Sequence, residues 1–402
     1  MKTFLNIAHS QITGLPSAVE RGRLLDVIER QGLPTTTDEV WRYAPLSQFN
    51  IDTFGAPERS EASPAFINDL THHADIVVQI DNGRYVAAQG DMPGVHVSWR
   101  DEGAIDEAPY QDDAFALLNT ALHPHVLSIE VDTDVSAGTV LLVHRVGTGA
   151  SFPRTRISVS RNARLTVIEV WCGGTDAFVA PVSEFEVGDN AHLTHVTYQR
   201  LDSSAWHVSR TTARIERSGR MHQSVLCLGG QYDRARNDAE LVGPGAENQL
   251  WTTFLGSGDQ VHDLRSHQMH HVGRTNSVLL SKGAAADRSR SVYTGLIEIE
   301  RGARRTDARQ TNHNLLLSPQ AHADSVPNLD IRENDVTCAH ASSVGPLDEL
   351  QRWYLESRGV SRQDAERLMI EGFFKEMLDV LPTDVARVFE ADITVRVREV
   401  VA

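Results

Sequence analysis

Between about residues 125 and 345, short β-type runs recur, and each ends in a turn of small residues. Few folds accept that texture over so long a stretch. The runs are Val126–Val131, Val140–Val146, Leu165–Val170, His192–Tyr198, Ser277–Leu280, Leu296–Glu300 and Asn314–Leu317. Their β-branched content suits strands. The turns share a flavour: Arg161-Asn162-Ala163, Gly188-Asp189-Asn190-Ala191, Gly243-Pro244-Gly245-Ala246, Lys282-Gly283-Ala284, Arg301-Gly302-Ala303 and Pro319-Gln320-Ala321. With alanine as the marker, the spacing is about 26–28 residues early and about 18–19 late. Stacked coils of a β-helix accommodate this pattern. A β-sandwich or barrel stays open on the pattern alone.

The flanks read differently. Near the N-terminus, Ser17 with Glu20 three residues later forms a capping box. Leu24, Leu25 and Ile28 supply an apolar stripe, and Gly32 closes the helix. Residues 50–110 are mixed, with a strand at Ile76–Ile80, and a second helix is predicted over Asp112–Leu122. After Gly345-Pro346 the pattern turns helical. Leu347–Ser357 forms one helix, with Gly359 as its C′ residue, and Ser361 caps the next. In that next helix Ala365, Leu368, Met369, Phe373, Met377 and Leu381 fall at helical spacing. Pro382 ends it, and a weaker helical or mixed segment follows. The organisation is therefore 1–122 helical and mixed, 123–345 β-repeat, and 346–402 helical.

Composition excludes several classes. The net charge is −16, which disfavours nucleic acid and anionic membrane surfaces as partners. Local arginine pairs, Arg288 with Arg290 and Arg304 with Arg305, are interleaved with acids and read as solvated strand faces. The longest apolar stretches fall far short of the roughly 18–20 residues that span a bilayer. The first residues contain no continuous apolar run, so a secretory leader is not expected and the chain is expected in the cytosol. Three cysteines, Cys172, Cys227 and Cys338, lie far apart without a CxxC pair, which argues against disulfides and a structural zinc site. With 41% hydrophobic residues, a core forms without such staples.

Few residues suggest chemistry. In Val336-Thr337-Cys338-Ala339-His340, strand alternation puts Cys338 and His340 on one side. A thiolate and an imidazole are a natural pair for a transition metal or an iron–sulfur cluster, but two ligands hold neither tightly. The bland alternative is a core cysteine and a satisfied histidine. His192 and His195 would diverge on a strand. His262, His267, His270 and His271 read as solvent-facing strand histidines. No GxxxxGK[ST], GxGxxG, GxSxG or HExxH occurs. In Glu371-Gly372-Phe373-Phe374, a mid-helix glycine costs about 1 kcal/mol against alanine. Close approach of another backbone would explain it, and one phenylalanine could meet a partner.

Several segments together resemble the SufB/SufD family of iron–sulfur cluster assembly proteins. They are Thr306–Ser318 (TDARQTNHNLLLS), Ala323–Leu329 (ADSVPNL), Cys338-Ala339-His340, Tyr354–Gly359 (YLESRG) and Glu371–Phe374 (EGFF). Gly32–Thr35 with Trp41-Arg42-Tyr43, and Asp113-Ala114-Phe115 with Leu118–Ala121, are similar to its SufD branch. The resemblance implies a mainly β fold, a right-handed parallel β-helix flanked by helical N- and C-terminal regions. It implies a cytosolic, non-catalytic scaffold working with a SufB-like paralogue and two copies of a SufC-like ATPase. The last coils would pair with the paralogue. The C-terminal helices would dock the ATPase, with Arg358, Gly359, Glu371, Gly372, Phe373 and Phe374 as candidate contacts. SufB-type chains carry a sulfur-accepting cysteine where this chain has Ala321, so the main acceptor role is not expected here. Cys338 and His340 would complete a composite site for a transient iron–sulfur cluster at the interface. No stable metal site and no tightly bound cofactor are expected in the isolated chain. Unpaired coil edges make a homodimer possible in isolation. Other readings are a SufB-like homodimeric scaffold, a silent His340 in a purely structural partner, and a β-helical polysaccharide-processing enzyme.

Overall fold

A strand exposes alternate residues to opposite sides, so a stack of coils can bury one set inside while the other set packs outward. The computed structural model describes residues 1–60, 63–100, 113–378 and 381–401, and it builds such a stack. Two sheets face each other. One runs in spatial order Arg84–Gln89, Ile76–Asp81, Ser136–Val146, Arg164–Gly173, His192–Leu201, Arg220–Cys227, Glu247–Gly256, Asn276–Ala285, Asp307–Leu316 and Thr337–Gly345. The other runs Val95–Arg100, Val126–Val131, Arg154–Val159, Val182–Val187, Trp206–Ile215, Tyr232–Leu241, Val261–His270, Arg290–Ile299 and His322–Ile331. Past the first pair in each sheet, all neighbours along these orders are parallel. The fold is a parallel β-solenoid with helices at both termini.

The coil length replaces the late spacing read from the alanines. Arg164 stands opposite His192 and His192 opposite Arg220, 28 residues per coil. Asn276 stands opposite Asp307, 31 residues on. The late alanines had mixed different features. Ala303 and Ala321 lie at opposite corners of a coil, and Ala284 sits inside the strand Asn276–Ala285. At one corner the pattern is physical. Ala163, Ala191, Ala246 and Ala303 are fully buried. Asn162 and Asn190 adopt the left-handed conformation (φ 61° and 55°) that asparagine tolerates. Their side chains stack as a ladder: Asn162 Nδ2 donates to Asp134 Oδ1 (2.6 Å) and Asn190 Nδ2 to Asn162 Oδ1 (2.9 Å).

Helices cover the outer faces of the early coils. Helix α1 (Lys2–Ile12), α2 (Ala18–Gln31) and α4 (Ala114–Leu122) pack with Phe152, Phe178, Trp206 and Tyr232 on the second sheet. The motifs of this region have internal work. Asp113 caps α4, accepting from the Phe115 and Ala116 amides (both 3.2 Å). Buried Asn119 donates to the carbonyls of Pro153 and Ala180, tying two coil corners together (2.7 and 2.8 Å). Trp41 lies under the Arg234 guanidinium, 3.7 Å from the ring centroid, and Arg234 pairs with buried Asp263 at 2.7 Å. Ser17 stands at the α2 N-cap, in a left-handed conformation (φ 56°) without the capping hydrogen bond that the sequence suggested.

The C-terminal helices α5 (Glu349–Ser357), α6 (Arg362–Leu378) and α7 (Thr383–Val401) follow the solenoid. A short helix, α3 (Ala65–Thr71), joins α6 and α7 on the outside of the first sheet. The last segment is a full 19-residue helix rather than a weak or mixed one. Its Val385, Phe389, Ile393 and Val397 recur every fourth residue and bury one stripe against Val196, Tyr198 and Leu226. That stripe outweighs the low helix propensity of its many β-branched residues. Tyr198 stacks on Phe389 (centroids 4.2 Å apart) and donates to Asp392 (2.5 Å). The buried face of α6 is Ala365, Ile370, Phe374, Met377 and Leu378, one step round from the stripe expected, and Leu368 is exposed.

Candidate functional site

Both sheets stop at the same end. Thr337–Gly345 and His322–Ile331 each pair with one neighbour, and among the described residues no strand continues either sheet. Pro327 sits within the second of these strands, a position proline tolerates at a sheet edge. Leu329, Ile331 and Val344 are 37–43% exposed there. This open coil is where Cys338 and His340 lie.

Register decides where the two residues point. Cys338 stands opposite Ala308 and His340 opposite Gln310, both of which are buried. Ala308 packs with Ile297, Ile299 and Ala303 inside the solenoid, and Cys338 packs against that cluster. Two residues on, His340 shares this inward side. The thiol and imidazole therefore sit at the mouth of the interior, with Cys338 half-buried and His340 exposed. Burial, and Asp307 nearby, push the Cys338 thiol up, so it is protonated at neutral pH until a metal or an acceptor displaces the proton. Among the described residues no three His, Cys, Asp or Glu side chains form a metal-binding group. Ala321 is buried at the corner leading into the last strand of the second sheet.

The residues suggested for ATPase contact divide. Arg358 and Gly359 terminate α5 in a Schellman arrangement. The Gly359 amide (φ 88°) bonds Glu356 O at 3.0 Å, and the Val360 amide bonds Leu355 O at 3.2 Å. Phe374 is buried in the solenoid-facing core, and Phe373 is half-buried beneath Lys282. Glu371 pairs with Arg367 at 3.7 Å. Gly372 is exposed, and a Cβ there would meet nothing within 4 Å, so no backbone in this chain requires the glycine. The most exposed apolar residues of the C-terminal helices lie on α5: Leu350, Trp353 and Tyr354 are 78%, 66% and 53% exposed, and α5 buries no residue. A helix of high amphipathicity with its apolar side in water marks a contact surface.

Two buried clusters escaped the sequence reading. Inside the solenoid, Glu169 lies 2.9 Å from His144 Nε2 and 3.1 Å from His195 Nε2. Burial alone would raise the Glu169 carboxyl, yet the two imidazoles hold it well below the usual carboxylate range. Asp233, 2.7 Å from His207 Nδ1 and 3.8 Å from His262 Nδ1, is held down in the same way. His262 and His270 are fully buried rather than solvent-facing. His267 and His271 do face outward, 3.0 Å from Glu298 and Glu300 respectively. The members of each cluster are one coil apart in sequence, so the register alone brings them together.

The fold defines a class: a parallel β-solenoid with helices at both termini, whose last coil carries Cys338 and His340. Comparison with known proteins gives the family. Residues 142–373 match the family model described as SUF system FeS cluster assembly, SufBD core domain. The iron–sulfur cluster assembly protein SufD of Escherichia coli (strain K12) is 30% identical over 371 residues, covering 89% of this chain and 87% of that protein. SufD of Bacillus subtilis (strain 168) is 26% identical, covering 92% and 91%. A SufBD family protein of Mycobacterium tuberculosis is 29% identical, covering 91% of each. This chain belongs to the SufBD family of iron–sulfur cluster assembly proteins.

Proposed function

We propose that this chain is the SufD-like subunit of a cytoplasmic complex with a SufB-like paralogue and a SufC-like ATPase. In that complex it is a non-catalytic scaffold for cluster assembly. The unpaired last coil carries the reading. Two adjacent strand edges, flanked by exposed Leu329, Ile331 and Val344, suit docking of a second solenoid end. Cys338 and His340 would then face the partner's interior and contribute two ligands. The partner would supply the rest, and the nascent cluster is cargo rather than a resident cofactor. The lone chain would hold no cluster tightly and could pair with a second copy of itself.

The ATPase would dock on α5, with Leu350, Trp353 and Tyr354 as its apolar centre and Arg358, Gly359, Glu371, Gly372 and Phe373 around it. Phe374 would support that surface from beneath. Among the described residues no helix is long and apolar enough to cross a membrane. Membership of an iron–sulfur cluster assembly family supports this reading over the polysaccharide-processing one.

The deciding experiment is co-purification of the tagged chain from its native cytosol. Recovery of a SufB-like chain together with a P-loop ATPase is expected, and recovery of neither sinks the proposal. His340→Ala should leave that complex intact while lowering cluster assembly in cells. Unchanged assembly would make His340 silent.

A further inference from the structure

The solenoid interior changes character along its length. From the closed end to the strand His192–Leu201, the inward positions on the first sheet begin with Leu142, Val167 and Leu193. Toward the open end a different row stands in register: Thr252, Ser281, Asn312 and Ser342, each opposite the next. All but Ser342 are buried. Inside this half, Thr252 Oγ1, Ser281 Oγ and both amide atoms of Gln310 and of Asn314 have no protein partner. Neither do His207 Nε2 and His262 Nε2.

Each such buried group is costly if left unsatisfied. Eight of them together would rival the whole stability of a typical domain. Bound water removes most of that cost, since a bridging water binds nearly as well as a direct partner. The interior has a place to begin such a column. A cavity of about 20 Å³, room for roughly one water, is bordered by Glu169, Gln199, His207, Cys227 and Asn237. It also has a mouth. Ser325 Oγ accepts from Asn312 Nδ2 (2.9 Å) and bonds Ser342 Oγ (2.8 Å), at the last coil. Four inter-strand steps separate the strand Thr337–Gly345 from Arg220–Cys227, about 19 Å.

We propose that the interior of the last five coils binds a column of water, running from Ser342 and Asn312 at the open end to the cavity beside Glu169 and His207. Through it the buried carboxylate–imidazole groups exchange protons with the open face. The ligand is water, and hydroxyl and amide side chains hold it. The proposal does not depend on which partner covers the open end.

Histidine C2–H exchange in deuterated buffer, read by mass spectrometry across pH, tests it on the full-length protein. The pH profile separates each ring's proton affinity from its access to water. His123 is the dry reference: it is fully buried off the column, between Arg21 and the Asn119 carbonyl. His207 and His262 should reach plateau rates at least about fivefold above His123. The double substitution Thr252→Val, Ser281→Val should bring both back toward the His123 rate without altering the circular dichroism spectrum. Plateau rates equal to that of His123 in the unsubstituted protein would overturn the proposal. If the double variant fails to fold, a high-resolution crystal structure of the unsubstituted protein decides: ordered waters at Thr252, Ser281 and Gln310 support the column, and a dry interior refutes it.

Discussion

The two ends of the solenoid are finished in opposite ways. At the first end an antiparallel strand is laid on each sheet, Arg84–Gln89 on Ile76–Asp81 and Val95–Arg100 on Val126–Val131. Tyr85 and Trp99, one from each added strand, meet across the gap with ring centroids 4.8 Å apart. Behind this lid the interior is packed with aliphatic side chains. At the far end both sheets stop at full-length parallel strands, no aromatic pair spans them among the described residues, and the interior behind them mixes apolar clusters, such as Leu250, Phe254 and Leu279, with buried hydroxyls and amides. A core sealed for good can be apolar. One that ends at an open coil edge has to tolerate water.

The sharpest way to break this contrast is to make similar cuts in each half. Phe185→Ala, in the aliphatic half, should lower stability by about 3–5 kcal/mol, because the cavity cannot collapse. Thr252→Val, in the mixed half, should change it by less than about 1 kcal/mol. Urea-unfolding midpoints compare them, and equal losses would erase the distinction.

Acid should act next most strongly, through the buried titratable groups of the interior. Burial, with His271 beside it, pushes His270 down to about 4 from an ordinary 6.5. A base whose folded pKa is depressed stabilises fully above its unfolded value. That contribution, on the order of 3 kcal/mol, is therefore lost as pH falls from about 6.5 towards 4. Glu169 and Asp233 are depressed acids, so their contribution persists above the unfolded carboxylate range, near 4, and fades only below it. His270→Asn should flatten the midpoint-against-pH curve between 6.5 and 4, and an unchanged slope would remove His270 from the account.

A smaller effect tests packing inside the mixed half. A Cβ at Gly283 would lie 1.7 Å from Phe254 Cε1, so Gly283→Ala must push a buried ring aside. Melting should report a loss of about 1–3 kcal/mol. A neutral result would mean that this half is loose enough to absorb a methyl group. Least of all, Ile331→Asp on the open coil should alter stability by no more than about 0.5 kcal/mol while weakening capture of the SufB-like chain. Undiminished capture would argue that the open end is not the pairing surface.

Much of this was legible in the chain. The strand at Ile76, helix α4, the Gly359 terminus and the Ser361 cap all follow from local rules, and Asp364 N does bond Ser361 Oγ at 3.2 Å. Asn82-Gly83 was a missed local signal. Both residues have positive φ (50° and 79°) and make the two-residue hairpin joining Ile76–Asp81 to Arg84–Gln89. Strands such as Trp206–Ile215 and Tyr232–Leu241 were harder to see. Their outward sides carry arginines and acids, and their inward sides mix alanine with His207, Asp233 and Asn237, so apolar alternation fades.

By itself the sequence determined what is local: coil texture, corner residues, caps, and the projection of Cys338 and His340 to a common side. Those features depend on backbone preference and on a two-residue period within one strand. The tertiary structure decided that this side faces the interior, that His144, Glu169 and His195 meet there, and that one end stays open. Each of these depends on hydrogen-bonded register with a strand 27–31 residues away, and a one-residue slip would turn every side chain to the other face.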